Sequence, residues 1–264
     1  MREERPADDA EEARCRVLGV LCTCSVVSGS TSPSARSCCP ATPKRVLAFL
    51  ALSRWSGQPR HRTALAERLW CDDPQARAQA SLRTAIWRIR KADRLLVAAD
   101  RGCVRLGTHV EVDVERSLDR ANRLLAGDDD LPPSDITIAD FAGDLLPGWD
   151  EDWLTLERER IRQVRIHALV ALSRRMCRLG EFVPAINAAY TAIAAEPLLE
   201  PAHAALVDVH LAEGDVVAAR RQLASYSRLL WREMRLTPSD GFTAKLGRPT
   251  TRIGLPAEPA SPLP

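Results

Sequence analysis

Ala80-Ser-Leu-Arg-Thr-Ala-Ile-Trp-Arg-Ile-Arg-Lys91 is the stretch on which the reading of this chain turns. It sits in a helical pattern running from about Gln75 to about Ala92, in which Leu82, Ala85, Ile86 and Ile89 share one face. Arg77, Ser81, Arg83, Thr84, Trp87, Arg88 and Lys91 then point away from that face or flank it. A major groove about 12 Å wide accepts one such helix, and an arginine can present two donors to a guanine. For an isolated amphipathic helix, a merely solvated basic face is the competing reading. The neighbouring segments decide between the two.

Upstream, a first helix is predicted from Lys44 to about Arg54, stopping at Ser56-Gly57-Gln58-Pro59. A second short helix carries Leu65, Ala66, Leu69 and Trp70 and ends at the tight connection Cys71-Asp72-Asp73-Pro74. Downstream, Leu96 to Leu106 reads as two short strands around a turn with Arg101 beside Gly102, which can reach an adjacent minor groove. Three helices and a hairpin make a winged helix-turn-helix. Phosphate contacts would fall to Arg60, His61 and Arg62, where the second helix presents free N–H groups, and to Arg90 or Arg94. Trp87 has two readings: with Trp70 it covers the core, or it touches a base or sugar.

The charge distribution agrees with this placement. From Pro43 to Val110 there are 14 Lys/Arg against 5 Asp/Glu, whereas from Glu111 to Arg160 there are 5 against 15. A polyanion-binding half joined to a non-binding half is expected, with double-stranded DNA as the first candidate partner.

The 264 residues suffice for two domains, and the Ala-, Leu- and Arg-rich composition with 5% aromatics predicts a mainly α fold with a small β component. Residues 1–13 are charged and expected to be disordered. Arg16-Val-Leu-Gly-Val-Leu and Thr23-Cys-Ser-Val-Val read as strands of a small N-terminal sheet, giving a DNA-binding domain over 14–110. A further amphipathic helix spans Asp113 to Leu125, and an acidic connector with Phe141, Trp149 and Trp153 follows. From Trp153 to about Trp231 helix is nearly continuous, broken at Gly180 and Gly214, 34 positions apart. Ala185 matches Ala219 and Ala189 matches Leu223 at that offset, the mark of a tetratricopeptide-like repeat, with Asp152 to Ser173 as its cap. The repeat domain is assigned to 111–247 and a Pro-rich disordered tail to 248–264.

Eight cysteines, at 15, 22, 24, 38, 39, 71, 103 and 177, do not fit a disulfide-stapled secreted domain, because this chain has core to spare. The apolar run Val17 to Val27 follows an acidic rather than a basic segment, so export is not expected and the address is cytoplasmic.

Taken in order, Arg16-Val-Leu-Gly, Lys44-Arg-Val-Leu-Ala-Phe-Leu-Ala-Leu, Leu65-Ala-Glu-Arg-Leu-Trp70, the stretch from Ala80 to Arg90 and Val112-Asp-Val resemble the AfsR/SARP transcriptional regulators of actinobacteria. Leu145-Leu-Pro-Gly-Trp-Asp, Trp153-Leu-Thr-Leu-Glu-Arg-Glu-Arg and Ala195-Glu-Pro-Leu resemble that family's bacterial transcriptional activator domain. The resemblance spans about residues 15 to 246. It implies an OmpR-type winged helix followed by tetratricopeptide-like helices. It also implies an activator that binds direct repeats near a promoter and contacts RNA polymerase, often at secondary-metabolite genes, with two protomers, a homodimer on DNA. The recognition helix would be Ala76 to Ala92 and the wing Leu95 to Leu106. The chain departs from the family in having His61 where relatives carry a Ser or Thr helix cap, and in the cysteine load of its strand region.

Nothing matches a phosphate-binding Gly-x-x-x-x-Gly-Lys loop, so neither ATP nor any other cofactor is expected. The five histidines form no catalytic constellation, and no enzyme is expected. Cys22-Thr-Cys24 with Cys38-Cys39 lacks the spacing of a zinc site, and the Leu-Pro-Pro after Asp128-Asp-Asp130 breaks a calcium-loop pattern. The remaining alternative is a helical-repeat protein-interaction scaffold whose winged helix is not a specific DNA reader.

Overall fold

The computed structural model describes residues 41–55, 60–100, 102–128 and 131–246. The expected N-terminal sheet, the five cysteines before Pro40, Arg101 and the Pro-rich tail lie outside these residues. The fold is mainly α with one small sheet, and the chain divides into two compact units. One holds the described residues up to Ala121 together with Gly143–Val164, and the other holds Asn122–Ala142 and the residues from Arg165 onward.

In the first unit α1 (Ala41–Trp55) is followed by strand β1 (Arg60–His61), α2 (Arg62–Leu69), α3 (Gln75–Ala92), β2 (Val97–Ala99), β3 (Cys103–Leu106) and the greater part of α4 (Asp113–Leu125). The bounds of α3 and the hairpin agree with the sequence reading. β1 does not appear in it: two residues carry no alternation to read, and only pairing with β3 makes them a strand. The sheet order is β1-β3-β2, all antiparallel, with Arg60 opposite Val104, His61 opposite Cys103 and Ala98 opposite Arg105. Val97, Val104 and Leu106 turn inward onto Val46, Leu50, Leu65, Leu69, Leu82 and Ile86. At the foot of the hairpin the Gly107 N–H donates to the Leu96 carbonyl at 2.9 Å. A Cβ at Gly107 would stand 2.0 Å from the Leu95 carbonyl oxygen, so only glycine closes the hairpin this tightly.

The same core takes in Leu145, Trp153, Leu154 and Ile161, from far along the chain. The Phe49 and Trp153 rings meet edge to face with centroids 5.1 Å apart. Arg158 holds the intervening loop by donating to the carbonyls of Leu145 (2.9 Å), Leu146 and Trp149 (both 2.6 Å). Leu146 in that loop has a φ of 47°, a left-handed value that a leucine adopts only when its surroundings enforce it.

The second unit contains the later part of α5 (Asp152–Arg178), then α6 (Phe182–Ala195), α7 (Glu200–Glu213), α8 (Val216–Met234) and the short α9 (Asp240–Ala244). Gly180 and Gly214 end α5 and α7 in left-handed conformations, φ +77° and +88°, as helix stops commonly do. Ala185 and Ala219, 34 residues apart, are fully buried at equivalent points of α6 and α8, which gives the tetratricopeptide-like repeat its physical basis. One interruption is absent from the sequence reading. Between α6 and α7 the chain leaves the helix at Glu196, which precedes Pro197 and is extended (φ −143°). Beneath this break His203 is buried, its Nε2 2.9 Å from the Pro197 carbonyl and its Nδ1 2.7 Å from Gln222 Nε2. Of the expected cap, Trp153 and Leu154 belong to the first unit's core, while Ile166, Leu169 and Leu172 are buried in the second unit.

Candidate nucleic-acid interface

The site is built on α3. Its inward side chains Ala78, Leu82, Ala85, Ile86 and Ile89 are buried and fix the rotation of the helix. That rotation leaves Arg77, Arg83, Thr84, Trp87, Arg88, Arg90 and Lys91 exposed, with Ser81 half-buried at the margin. No side chain caps α3; Pro74 precedes it, and the N–H groups of Arg77 and Ala78 bond to the Pro74 carbonyl.

Beside the C-terminal half of α3 lies an open hollow of about 640 Å³ lined by Arg62, Arg83, Trp87, Arg90, Lys91 and Arg94. Arg62 comes from the start of α2, and its backbone N–H donates to the Gly102 carbonyl at 3.0 Å, pinning that helix end to the hairpin turn. Its Nε is buried without a hydrogen-bond partner among the described residues. Five cations thus surround one depression, and none has an ion pair among the described residues. Concentrated, uncompensated positive charge against a helix N-terminus attracts phosphate. His61 makes no side-chain cap on α2, so no side chain of the cap occupies the N–H groups that follow Arg62.

The other sequence-predicted residues are placed as follows. Arg77 pairs with Asp73 one turn earlier at 3.6 Å, so its charge is partly answered within the protein. Arg88 is exposed on the opposite flank of α3 from the hollow. Arg60 lies in β1, opposite Val104. Arg101, expected at the tip of the wing, lies outside the described residues. Trp87 does not cover the core: it is 61% exposed, with Lys91 Nζ 5.3 Å from its ring centroid. Trp70 instead packs at the edge of the core, under the Arg45 guanidinium at 5.8 Å.

The sequence reading missed Arg105. It is exposed on β3 between buried Val104 and Leu106, and it faces Asp100 at 3.7 Å. The period-two alternation of that strand would have found it. Cys103 Sγ lies 3.8 Å from His61 Nδ1, and no third metal-ligating group joins them among the described residues. No described helix is long and apolar enough to cross a membrane.

Comparison with known proteins gives two results. Residues 135–245 match the family model of the bacterial transcriptional activator domain, and this part of the chain is such a domain. The fold is similar to the structure of Mycobacterium tuberculosis EmbR in complex with a low-affinity phosphopeptide, with a TM-score of 0.63 and 18% identity. The likeness covers 77% of this chain and 57% of EmbR, so the chain spans little more than half of that relative's length. No curated protein matches the sequence.

Proposed function

We propose that the chain is a transcriptional regulator of the AfsR/SARP type and a sequence-specific DNA-binding activator; the match of residues 135–245 to the bacterial transcriptional activator domain and the resemblance of the segments before it support this reading. The chain lays α3 in the major groove of double-stranded promoter DNA. Arg83 and Arg88 flank the reading face, and Ser81, Thr84 and Trp87 touch base edges. Arg62, Arg90, Lys91 and Arg94 seat the phosphate backbone, and Arg60, Arg77 and Arg101 add contacts from the second helix, the start of α3 and the wing. The observation supporting this reading is the set of five cations around the hollow that have no ion pair among the described residues, adjoining a helix whose outward face is exposed.

Two protomers occupy a direct repeat, and the bound activator contacts RNA polymerase in the cytoplasm. Support for these finer points is the resemblance to the family. The protein performs no catalysis and takes no cofactor.

Footprinting on DNA upstream of its own and neighbouring genes, at several salt concentrations, tests the proposal. The intact chain protects a direct repeat, with affinity falling steeply as salt rises, because each phosphate contact releases a counterion. An Arg83→Ala, Arg88→Ala double variant loses that protection. Binding that shows no sequence preference at any salt overturns the DNA-reading role and leaves the repeat domain as a protein scaffold.

A further inference from the structure

The arginines of α3 do not occupy the centre of its exposed face. With successive residues turned by about 100° and the buried set Ala78, Leu82, Ala85, Ile86 and Ile89 marking the inward direction, the outward midline runs through Ala80, Thr84, Trp87 and Lys91. Arg83 and Arg90 lie to one side of it and Ser81 and Arg88 to the other, and Arg94, beyond the end of the helix, lines the same hollow as Arg83 and Arg90. The part of the helix that goes deepest into a groove is therefore led by Thr84 and Trp87, with Lys91 one turn after them and half-buried Ala80 one turn before.

Two details sharpen the chemistry. The Thr84 hydroxyl donates to the Ala80 carbonyl at 3.0 Å, so its hydrogen is already used within the helix and what it offers a base is an acceptor and a methyl group. Trp87 is 61% exposed, and its ring makes one cation contact, to Lys91. A tryptophan held in water by a well-ordered helix forgoes the largest apolar burial available to any side chain. In the major groove the one apolar feature of a base pair is the 5-methyl group of thymine, which alanine, threonine methyl and aromatic side chains contact.

We propose that Trp87, with Thr84 beside it, is a thymine reader: the midline of α3 selects a thymine 5-methyl group in each half of the operator, while the flanking arginines take guanine and phosphate. This rests on the DNA-binding reading above.

The test uses the full chain and a duplex selected by it from a random library. Each thymine in the selected site is replaced in turn by uracil, which lacks only the methyl group. The expected result is a loss of about fourfold in affinity at one position per repeat, the effect of one buried methyl group. Trp87→Ala binds the thymine duplex more weakly and no longer distinguishes thymine from uracil there. Equal binding of thymine and uracil duplexes at every position overturns the proposal while leaving sequence-specific DNA binding intact. So does a uracil penalty that persists unchanged in Trp87→Ala, since the methyl group then acts through DNA shape. Selection that yields no preferred sequence overturns both this proposal and the reading beneath it. Trp87 is 61% exposed, and circular dichroism of the variant matching the parent excludes a folding defect as the cause.

Discussion

Arg45 of α1 and Glu151, 106 positions later, are joined in the first unit: one Arg45 Nη donates at 2.7 Å to both a Glu151 carboxylate oxygen and the Leu69 carbonyl. Glu151 also accepts from the Trp153 indole at 3.0 Å. A charge pair set at the edge of the core thus ties α1 to the end of the acidic connector. Replacing Glu151 with Gln keeps the shape but leaves the half-buried guanidinium without a counter-charge. A loss of about 2 kcal/mol is expected in urea unfolding of the full chain. A change below a few tenths would mean that water already answers Arg45.

Trp153 makes the same point in apolar terms. It lies in α5, yet its ring packs on Phe49 in the core beneath α3. Trp153→Ala should cost about 3–5 kcal/mol, and hydrogen exchange should accelerate in α1 and α3 as well as in α5. Loss of protection confined to α5 would contradict the placement.

Gly107→Ala should disrupt the foot of the wing, because the added Cβ meets the Leu95 carbonyl oxygen at 2.0 Å. A destabilisation of about 2 kcal/mol or more is expected, with DNA affinity falling as the hairpin shifts. By contrast Gly102→Ala, where a Cβ meets nothing within 4 Å, should leave stability within about 0.5 kcal/mol of the parent.

His203 gives the second unit a dependence on acidity. Burial holds its pKa below the ordinary value of 6.5, more strongly than the Pro197 carbonyl and Glu200 pull it upward. The folded state therefore keeps the ring neutral where the unfolded chain takes up a proton. Its contribution is complete above about pH 6.5 and is lost as the pH falls through the folded-state pKa. Melting of α7 and α8 should shift to lower temperature between pH 7 and pH 5, and His203→Gln should flatten that slope. An unchanged slope in the variant would assign the acid sensitivity to other groups.

How much of this was legible beforehand differs by feature. The bounds of α3, the hairpin around Gly102 and the 34-residue repeat are visible in the sequence, because each is carried by local signals: a 3.6-residue apolar period, a turn glycine between strand-forming residues, and glycine stops at a fixed offset. The basic character of the outer face of α3 follows from the same period. The short strand β1 and the break at Pro197 were not read. The first exists only through pairing with β3, and the second is a single proline within an otherwise helical composition.

Local sequence thus determined which segments are helices and which helix carries the positive charge, since both are properties of neighbours a few residues apart. Tertiary structure alone decided that residues 143–164 complete the core of the first unit, that Arg62 joins Arg83, Arg90, Lys91 and Arg94 around one hollow, and that Trp87 faces water while Trp70 packs at the core edge. The reason is physical: a side chain's spacing says which face of its own helix it shares, but burial is settled by what arrives from elsewhere in the chain to cover that face.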